Sequence, residues 1–476
     1  MHSRQKISLT ARVVIIGLVI AGIYLVASNL SAPRLMLSIL VALSVVGAWY
    51  YYHYVRSRSA AIRMAPADAA WLHLDEPNNP ADIILLMTFD EAPTVEAVQA
   101  TVADRLLRFN RFRQRVVNVG GQPYWEMDPD FAVGNHLSHV DVSGPLTAER
   151  LAEIVADLGT HDTAPERPLW SCHIVKGTDG RGAVVFCVHH CIGDGFALAR
   201  AVSFPARSAD ESTSPISNPK RASKLISSAS DLMRTLRHMA QAPFGRETVI
   251  RGHLRGQRRI AWSGGFSLEA VKGVARSRGV SLNDVFITAL TGALRHFLAE
   301  SGKLAEGRSI RAIVPVSLRP ARWIEEADDS LGNRFGLFFI DLPVEEQTAK
   351  ARSSKLEERM RAGNRLTEAS VVLGILKALG LGPASLERLV SNIFSRKASV
   401  VISNVPGPRA PVYFGDKEIR EVMFWAPHPG KLGLSLSILT YAGTIRMGAR
   451  ADVGTIDNPR RIVELFEAEL PVILGD

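Results

Sequence analysis

The stretch Ala183-Val184-Val185-Phe186-Cys187-Val188-His189-His190-Cys191-Ile192-Gly193-Asp194-Gly195 decides how the rest of the chain is read. Its first six residues are uniformly apolar, without the alternation of a half-exposed strand, and so predict a strand buried on both faces. Two histidines stand where that strand must end, and a buried strand ending on polar residues delivers them into an interior cleft. Asp194, four residues after His190, is placed to fold back and fix the turn, an arginine being a suitable partner. Gly193 and Gly195 permit a sharp backbone path.

Three chemistries compete for this segment. A metal site would combine His189 or His190 with Cys187 or Cys191, but adjacent strand residues point to opposite faces and no acidic-histidine set lies at ligand spacing. A satisfied polar turn is the plainest alternative. The third is general-base catalysis, because a neutral imidazole with a pKa near ~6.5 accepts a proton from a hydroxyl at physiological pH. Cys191 as a nucleophile has no other feature in its favour. The chain lacks a G-x-S-x-G elbow, a G-x-x-x-x-G-K-[ST] phosphate loop, a G-x-G-x-x-G turn and an H-E-x-x-H helix, which removes the serine hydrolase, P-loop and zincin readings. With no activated nucleophile nearby, direct transfer to an acceptor hydroxyl is the natural chemistry for a histidine base.

Working outward, Ile83–Phe89 reads as a strand, Val95–Leu107 and Leu151–Leu158 as helices, and Cys172–Lys176 pairs with Ala183–His189 across a Thr178-Asp179-Gly180 turn. Residues 206–222 are rich in Ser, Pro and charge and read as a linker or crossover loop. Leu225–Ala240 is compatible with a helix, either a solvated surface helix or a basic one facing a membrane. Beyond it the pattern predicts helices at Leu282–Leu298 and Val371–Leu379. Strands are predicted at Ile310–Val316, Leu337–Leu342, Val400–Ile402, Leu432–Leu439 and Thr444–Ala449.

The 476 residues carry a net charge of +9, which invites a nucleic-acid reading until the charge is located. Residues 1–63 hold seven basic side chains and no acidic one, and residues 218–259 hold ten basic against Asp231 and Glu247. The remaining 371 residues therefore carry −6, so the body of the protein is mildly acidic and no nucleic acid is expected as a partner. The first basic block flanks two uncharged runs, Val13–Leu30 and Leu35–Val55, each near the ~20 residues that cross a bilayer as a helix. Ser31-Ala32-Pro33-Arg34 separates them, giving a transmembrane hairpin with both ends cytoplasmic by the positive-inside rule. A cleaved signal peptide and monotopic insertion are the competing readings. Both basic blocks point to an anionic membrane surface. Three cysteines, Cys172, Cys187 and Cys191, are too few and too clustered for a disulfide framework and favour a reducing compartment.

H-H-x-x-x-D-G is expected by chance in about one of several hundred chains with this histidine content. At His189, His190, Asp194 and Gly195 the chain resembles the CoA-dependent acyltransferase superfamily of chloramphenicol acetyltransferase and peptide-synthetase condensation domains. It is similar in particular to the bacterial wax ester synthase/acyl-CoA:diacylglycerol acyltransferase family. The segments that carry the likeness are Pro66-Ala67-Asp68-Ala69 with Leu72-His73-Leu74, Pro168-Leu169-Trp170, Asn283-Asp284-Val285, Val314-Pro315-Val316-Ser317-Leu318-Arg319, Leu331-Gly332-Asn333-Arg334 and Ser403-Asn404-Val405-Pro406-Gly407-Pro408. The likeness begins near residue 64. The hairpin, Ser171 after Pro-Leu-Trp, and Phe424–Lys431 depart from the family pattern and leave the acceptor open.

The resemblance implies an α/β fold of two lobes with a tunnel between them, preceded here by the transmembrane hairpin. Its expected divisions are 1–63 (hairpin and basic flank), 64–205 (first lobe, with the double histidine), 206–259 (basic linker and helix) and 260–476 (second lobe). It further implies that His190 is the general base, that His189 and Asp194 hold the loop and the imidazole, and that Gly195 supports them. Asn283 opens a helix, where its side chain either caps the helix or positions a substrate group, with Asp284 in support. Trp170 reads as core, and Asn404 as a turn residue shaping the second lobe outside the site. Acyl-CoA is expected as a substrate, with a long-chain alcohol or diacylglycerol as acceptor, and neither a cofactor nor a metal is expected. The other readings are an enzyme of the same fold acting on another hydroxyl, of a glycolipid or polyketide, and a lipid-binding protein without activity.

Overall fold

The computed structural model describes residues 61–476 apart from 77, 160–165, 204–249, 251, 305–309, 320–330, 363–364, 383–389, 391, 393–394, 396, 429 and 476. The chain divides into two units at Ile62/Arg63, and the account below concerns the second, Arg63–Asp476. The strands that place the site are β1 (Asp82–Phe89), β2 (Leu137–Asp141), β3 (Trp170–Lys176), β4 (Gly182–His189), β5 (Arg258–Trp262), β6 (Phe266–Ser267), β7 (Ile310–Ser317), β8 (Phe335–Leu342), β9 (Val400–Pro406), β10 (Glu421–Trp425), β11 (Leu434–Tyr441) and β12 (Thr444–Asp452). The helices used here are α1 (Pro66–His73), α2 (Val95–Arg105), α3 (Ala148–Leu158), α4 (Gly195–Ser203), α5 (Leu282–Glu300), α6 (Arg365–Leu379) and α7 (Arg460–Gly475).

Among the described residues, one five-stranded sheet runs β10-β1-β4-β3-β2 and a seven-stranded sheet runs β8-β7-β9-β11-β12-β5, with β6 on the side of β12. Strand β4 lies between β1 and β3, and all eight of its residues are buried, which is why it lacks polar alternation. Its register sets His189 opposite Asp82, so both histidines leave the sheet at its end. In the second sheet β9 runs parallel to β7 and to β11, while the other pairs are antiparallel.

The α/β layering and the order of elements agree with the pattern of the sequence, and most boundaries shift by only a few residues. Helices begin where polar caps stand: Thr94 and Thr147 accept the Ala97 and Arg150 amides, and Ser281 forms a capping box with Asp284. Sequence order does not foretell that Glu421–Trp425 leaves the later part of the chain and pairs with β1, Trp425 standing opposite Ile84. Trp425 is fully buried, its indole N–H donates to the Ala261 carbonyl at 3.4 Å, and its ring meets Trp262 edge-on. Strand β10 of the first sheet is thereby tied to β5 of the second. Arg450 adds a second tie, from β12 to the Asp82 carbonyl at 2.8 Å.

The two uncharged runs, Val13–Leu30 and Leu35–Val55, and the Leu225–Ala240 segment lie outside the described residues. Among the described residues no helix is long and apolar enough to cross a membrane. Arg258, grouped by sequence with a surface-seeking basic block, is in fact buried in β5. Its guanidinium donates to the Gly159 carbonyl and to the Asn79 side chain, because leaving a buried cation without acceptors would cost several kcal/mol.

Replacing Trp425 with Ala removes a fully buried side chain that joins the two sheets. A loss of about 3–5 kcal/mol is expected, measured as a lower urea midpoint at unchanged slope.

Candidate active site

His190 follows the buried strand, and its ring packs against Trp71 and Phe335, which also meet each other at 5.9 Å. The Trp71 indole stacks on it at a centroid distance of 3.9 Å and 13° between planes, and Phe335 tilts against it at 5.5 Å. The main-chain N–H of His190 donates to the Ala81 carbonyl at 2.9 Å, so the backbone is held as well as the ring. Its Nδ1 lies 2.9 Å from Asn333 Oδ1. Burial lowers the His190 pKa to about 4, the Asp194 carboxylate opposing that shift, so the imidazole is neutral at physiological pH.

His189 turns away from this arrangement. Its Nδ1 accepts the Cys191 N–H at 3.1 Å, and its Nε2 lies 3.7 Å from Asp75. The adjacent histidines thus do different things, one bracing the turn and one entering the cleft. Cys191 is fully buried. Among the described residues no three His, Cys, Asp or Glu side chains gather as a metal site would require.

Asp194 is buried and fully engaged. Its Oδ1 accepts the Ala197 N–H and so caps α4, while its Oδ2 accepts from the Arg319 guanidinium at 2.9 Å and from the Arg334 N–H at 3.0 Å. The arginine partner suited to Asp194 is therefore Arg319, at the end of β7. Arg319 also donates to the Gly332 carbonyl, and Gly193 bridges Gly332 directly. The turn at 189–195 and the loop at 331–334 consequently lie side by side.

Gly193 and Gly195 do not adopt positive φ, contrary to the expectation of a special backbone path. Gly195 is small for a different reason, since a Cβ there would meet Val405 at 3.2 Å. The glycine that needs both its freedom and its size is Gly332, with φ of 106° and the Arg111 and Asp68 side chains within 3.3 Å of where a Cβ would stand.

Beside His190 opens a cleft with about 670 Å³ of atom-free space, its mouth included. Asp194 and Gly195 line it, together with the apolar side chains of Ile83, Ile313, Leu337, Val401, Val405 and Phe424. Polar lining comes from Ser317, Ser403 and Asn404. Asn283 and Asp284 stand behind this wall. Ser281, not Asn283, caps α5, and Asp284 closes the box by accepting the Ser281 N–H at 3.1 Å. Asn283 Oδ1 accepts from Asn404 Nδ2 at 3.4 Å, so it reaches the cleft only through Asn404. Trp170 is core, its N–H bonded to the Phe112 carbonyl and its ring stacked on His136.

Comparison with known proteins fits this arrangement. Residues 64–242 match the wax ester synthase/diacylglycerol acyltransferase catalytic domain, and residues 331–473 match the C-terminal domain of the same family. The chain belongs to that family. It is an acyltransferase. A probable diacylglycerol O-acyltransferase of Mycobacterium tuberculosis is 26% identical over 409 residues, covering 79% of this chain and 87% of the relative. A second from that organism is 25% identical over 449 residues, covering 86% and 97%. The wax ester synthase/diacylglycerol acyltransferase from Marinobacter aquaeolei shares the fold with a TM-score of 0.64 at 22% identity, over 87% of this chain and all of that one. So does the starter condensation domain of rhizomide synthetase, in complex with C8-CoA, with a TM-score of 0.56 at 14% identity, over 88% and 96%.

In this acyltransferase the cleft wall therefore includes two residues that sequence reasoning left out of the site, Trp71 and Asn404. Asp68 and Asn333 stand just behind His190. All four belong to or adjoin segments that carried the resemblance, but none has an individual spacing signal.

Removing Arg319 while keeping Asp194 strands a buried carboxylate. Arg319→Met is expected to destabilise the protein by about 3–5 kcal/mol in chemical denaturation. Asp194→Asn, which can still accept the Ala197 amide, is expected to lose less.

Proposed function

We propose that this acyltransferase moves a fatty acyl group from acyl-CoA to the hydroxyl of a long-chain alcohol or diacylglycerol, with His190 as general base. The supporting observation is a buried imidazole, neutral at physiological pH, on the wall of a cleft lined mostly by apolar side chains. In the proposed step His190 Nε2 takes the hydroxyl proton as the oxygen attacks the thioester carbonyl carbon. The C–S bond then breaks, and the proton passes from the imidazolium to the CoA thiolate. A placed general base contributes typically ~10²–10⁴-fold, and holding both substrates in line supplies the rest. His189 and Asp194 hold the turn, Gly195 gives room beside Val405, and Asn283 and Asp284 act from behind Asn404. Acyl-CoA enters as a substrate, and the reading calls for no separate cofactor.

The same reading places the body on the cytoplasmic side of a membrane, held by the hairpin of Val13–Leu30 and Leu35–Val55 within the basic division 1–63. Lobes at 64–205 and 260–476 follow, joined by the basic 206–259 segment. Its physical motive is that lipid acceptors and products partition into the bilayer, so an anchored enzyme works beside its acceptor.

Purified protein given palmitoyl-CoA with hexadecanol or with diacylglycerol is expected to release CoA, and His190→Ala to lower the rate by at least ~10²-fold. CoA release that survives the substitution would place the base elsewhere. The base must be unprotonated to act and its pKa is about 4, so kcat/KM is expected to stay flat from about pH 8 to pH 6 and to fall as the pH drops through about 4. An acid limb near pH 6.5 would count against a buried base. Full-length protein is expected to stay with membranes after carbonate washing, and its extraction would argue against the hairpin.

A further inference from the structure

The amide of Asn333 has one possible orientation. Its Nδ2 lies 2.9 Å from Asp68 Oδ1 and 2.8 Å from the His190 carbonyl oxygen, both of which can only accept. A rotated amide would set its oxygen against those two acceptors, so the nitrogen must face them and Oδ1 must face the His190 ring. An amide oxygen can only accept. His190 Nδ1, 2.9 Å away, therefore carries the proton, and the second ring nitrogen, Nε2, is left with a bare lone pair.

The orientation of Asn333 is fixed in turn. Asp68 is buried and also accepts the main-chain N–H of Asn333 at 2.9 Å, so carboxylate and amide cannot slide past each other. Arg111 pairs with the other Asp68 oxygen at 2.7 Å and donates to the Cys191 and Ile192 carbonyls just beyond His190. The series Arg111, Asp68, Asn333, His190 thus starts and finishes on the same turn, while Trp71 from α1 fixes the plane of the ring.

We propose that Asn333 is a positioning residue that sets the His190 tautomer, with Asp68 and Arg111 holding Asn333 in the orientation that does so. This rests on His190 acting as the base. A neutral partner matters as much as an accepting one. A carboxylate in the same place would stabilise the imidazolium and leave a weaker driving force for returning the proton to the thiolate.

Two experiments test the assignment. In protein labelled with ring-¹⁵N histidine, the His190 signals, identified by their loss in His190→Gln, are expected to show a protonated Nδ1 and an unprotonated Nε2 at neutral pH. The opposite tautomer overturns the proposal, whatever the variants do. In kinetics, Asn333→Ala is expected to lower kcat by about 10–100-fold while the KM for palmitoyl-CoA stays within about threefold, because a misaimed base impairs chemistry rather than binding. Asn333→Asp, which keeps the acceptor and adds charge, is expected to move the acid limb of kcat/KM upward from about pH 4 toward neutrality, a displacement that a merely structural role would not produce. A folded Asn333→Ala protein with unchanged kcat, alongside an inactive His190→Ala protein, overturns this inference alone. Activity persisting in His190→Ala overturns the reading on which it rests.

Discussion

The buried Asp194 carboxylate sits where three pieces of chain meet, and the rest of the site depends on how its charge is compensated. Taking a carboxylate out of water costs several kcal/mol, which is recovered only when a cation and further donors complete its shell. Here the donors are the Ala197 amide at the start of α4, the Arg319 guanidinium at the end of β7 and the Arg334 amide beside β8. Satisfying one side chain therefore fixes the turn after β4, the exit of β7 and the entry of β8 relative to each other. His190 and Asn333 lie on that seam and take their relative position from it.

Around that anchor the fold separates two kinds of surroundings within a few ångströms. Asp194, Asp68 and Arg111 are ionic and paired, whereas the ring of His190 packs against Trp71 and Phe335 and borders apolar side chains. Desolvation dominates at the ring although the Asp194 carboxylate opposes it, and the hydrogen bonds of Asp194 go to Arg319 and backbone amides. An imidazole that is neutral across the physiological range follows from burial. The same apolar lining suits the hydrophobic substrate of the proposed reaction, in which one physical feature would serve both binding and chemistry.

Much of this was legible in the sequence. The uniformly apolar run before His189 foretold a doubly covered strand, and the strand and helix positions followed from local periodicity and caps. That Asp194 would brace the turn through an arginine was also readable. Asn283 and Asp284 were read as the opening of a helix, and the structure shows why the cap passes to Ser281: its side chain and that of Asp284 satisfy each other's amides. Gly332 and Asn333 stood in view as part of a recurring segment without a role, since nothing local says that a loop at 331–334 will lie against a turn at 189–195. Arg258 shows the opposite error, a residue assigned to a surface by the charge of its neighbours and buried by strand pairing.

By itself the sequence determined the strand that carries the histidines and the turn after it, because those depend on hydrophobic period and spacing within one short segment. The class of the protein and the choice of His190 came from the resemblance of several separated segments to one family. Only the tertiary structure decided which groups surround that histidine. Asn333 is 143 residues from His190 and 265 from Asp68 along the chain. Their contacts arise from sheet packing, where desolvated charges must find partners wherever the fold supplies them, and no local pattern encodes which distant residue that will be.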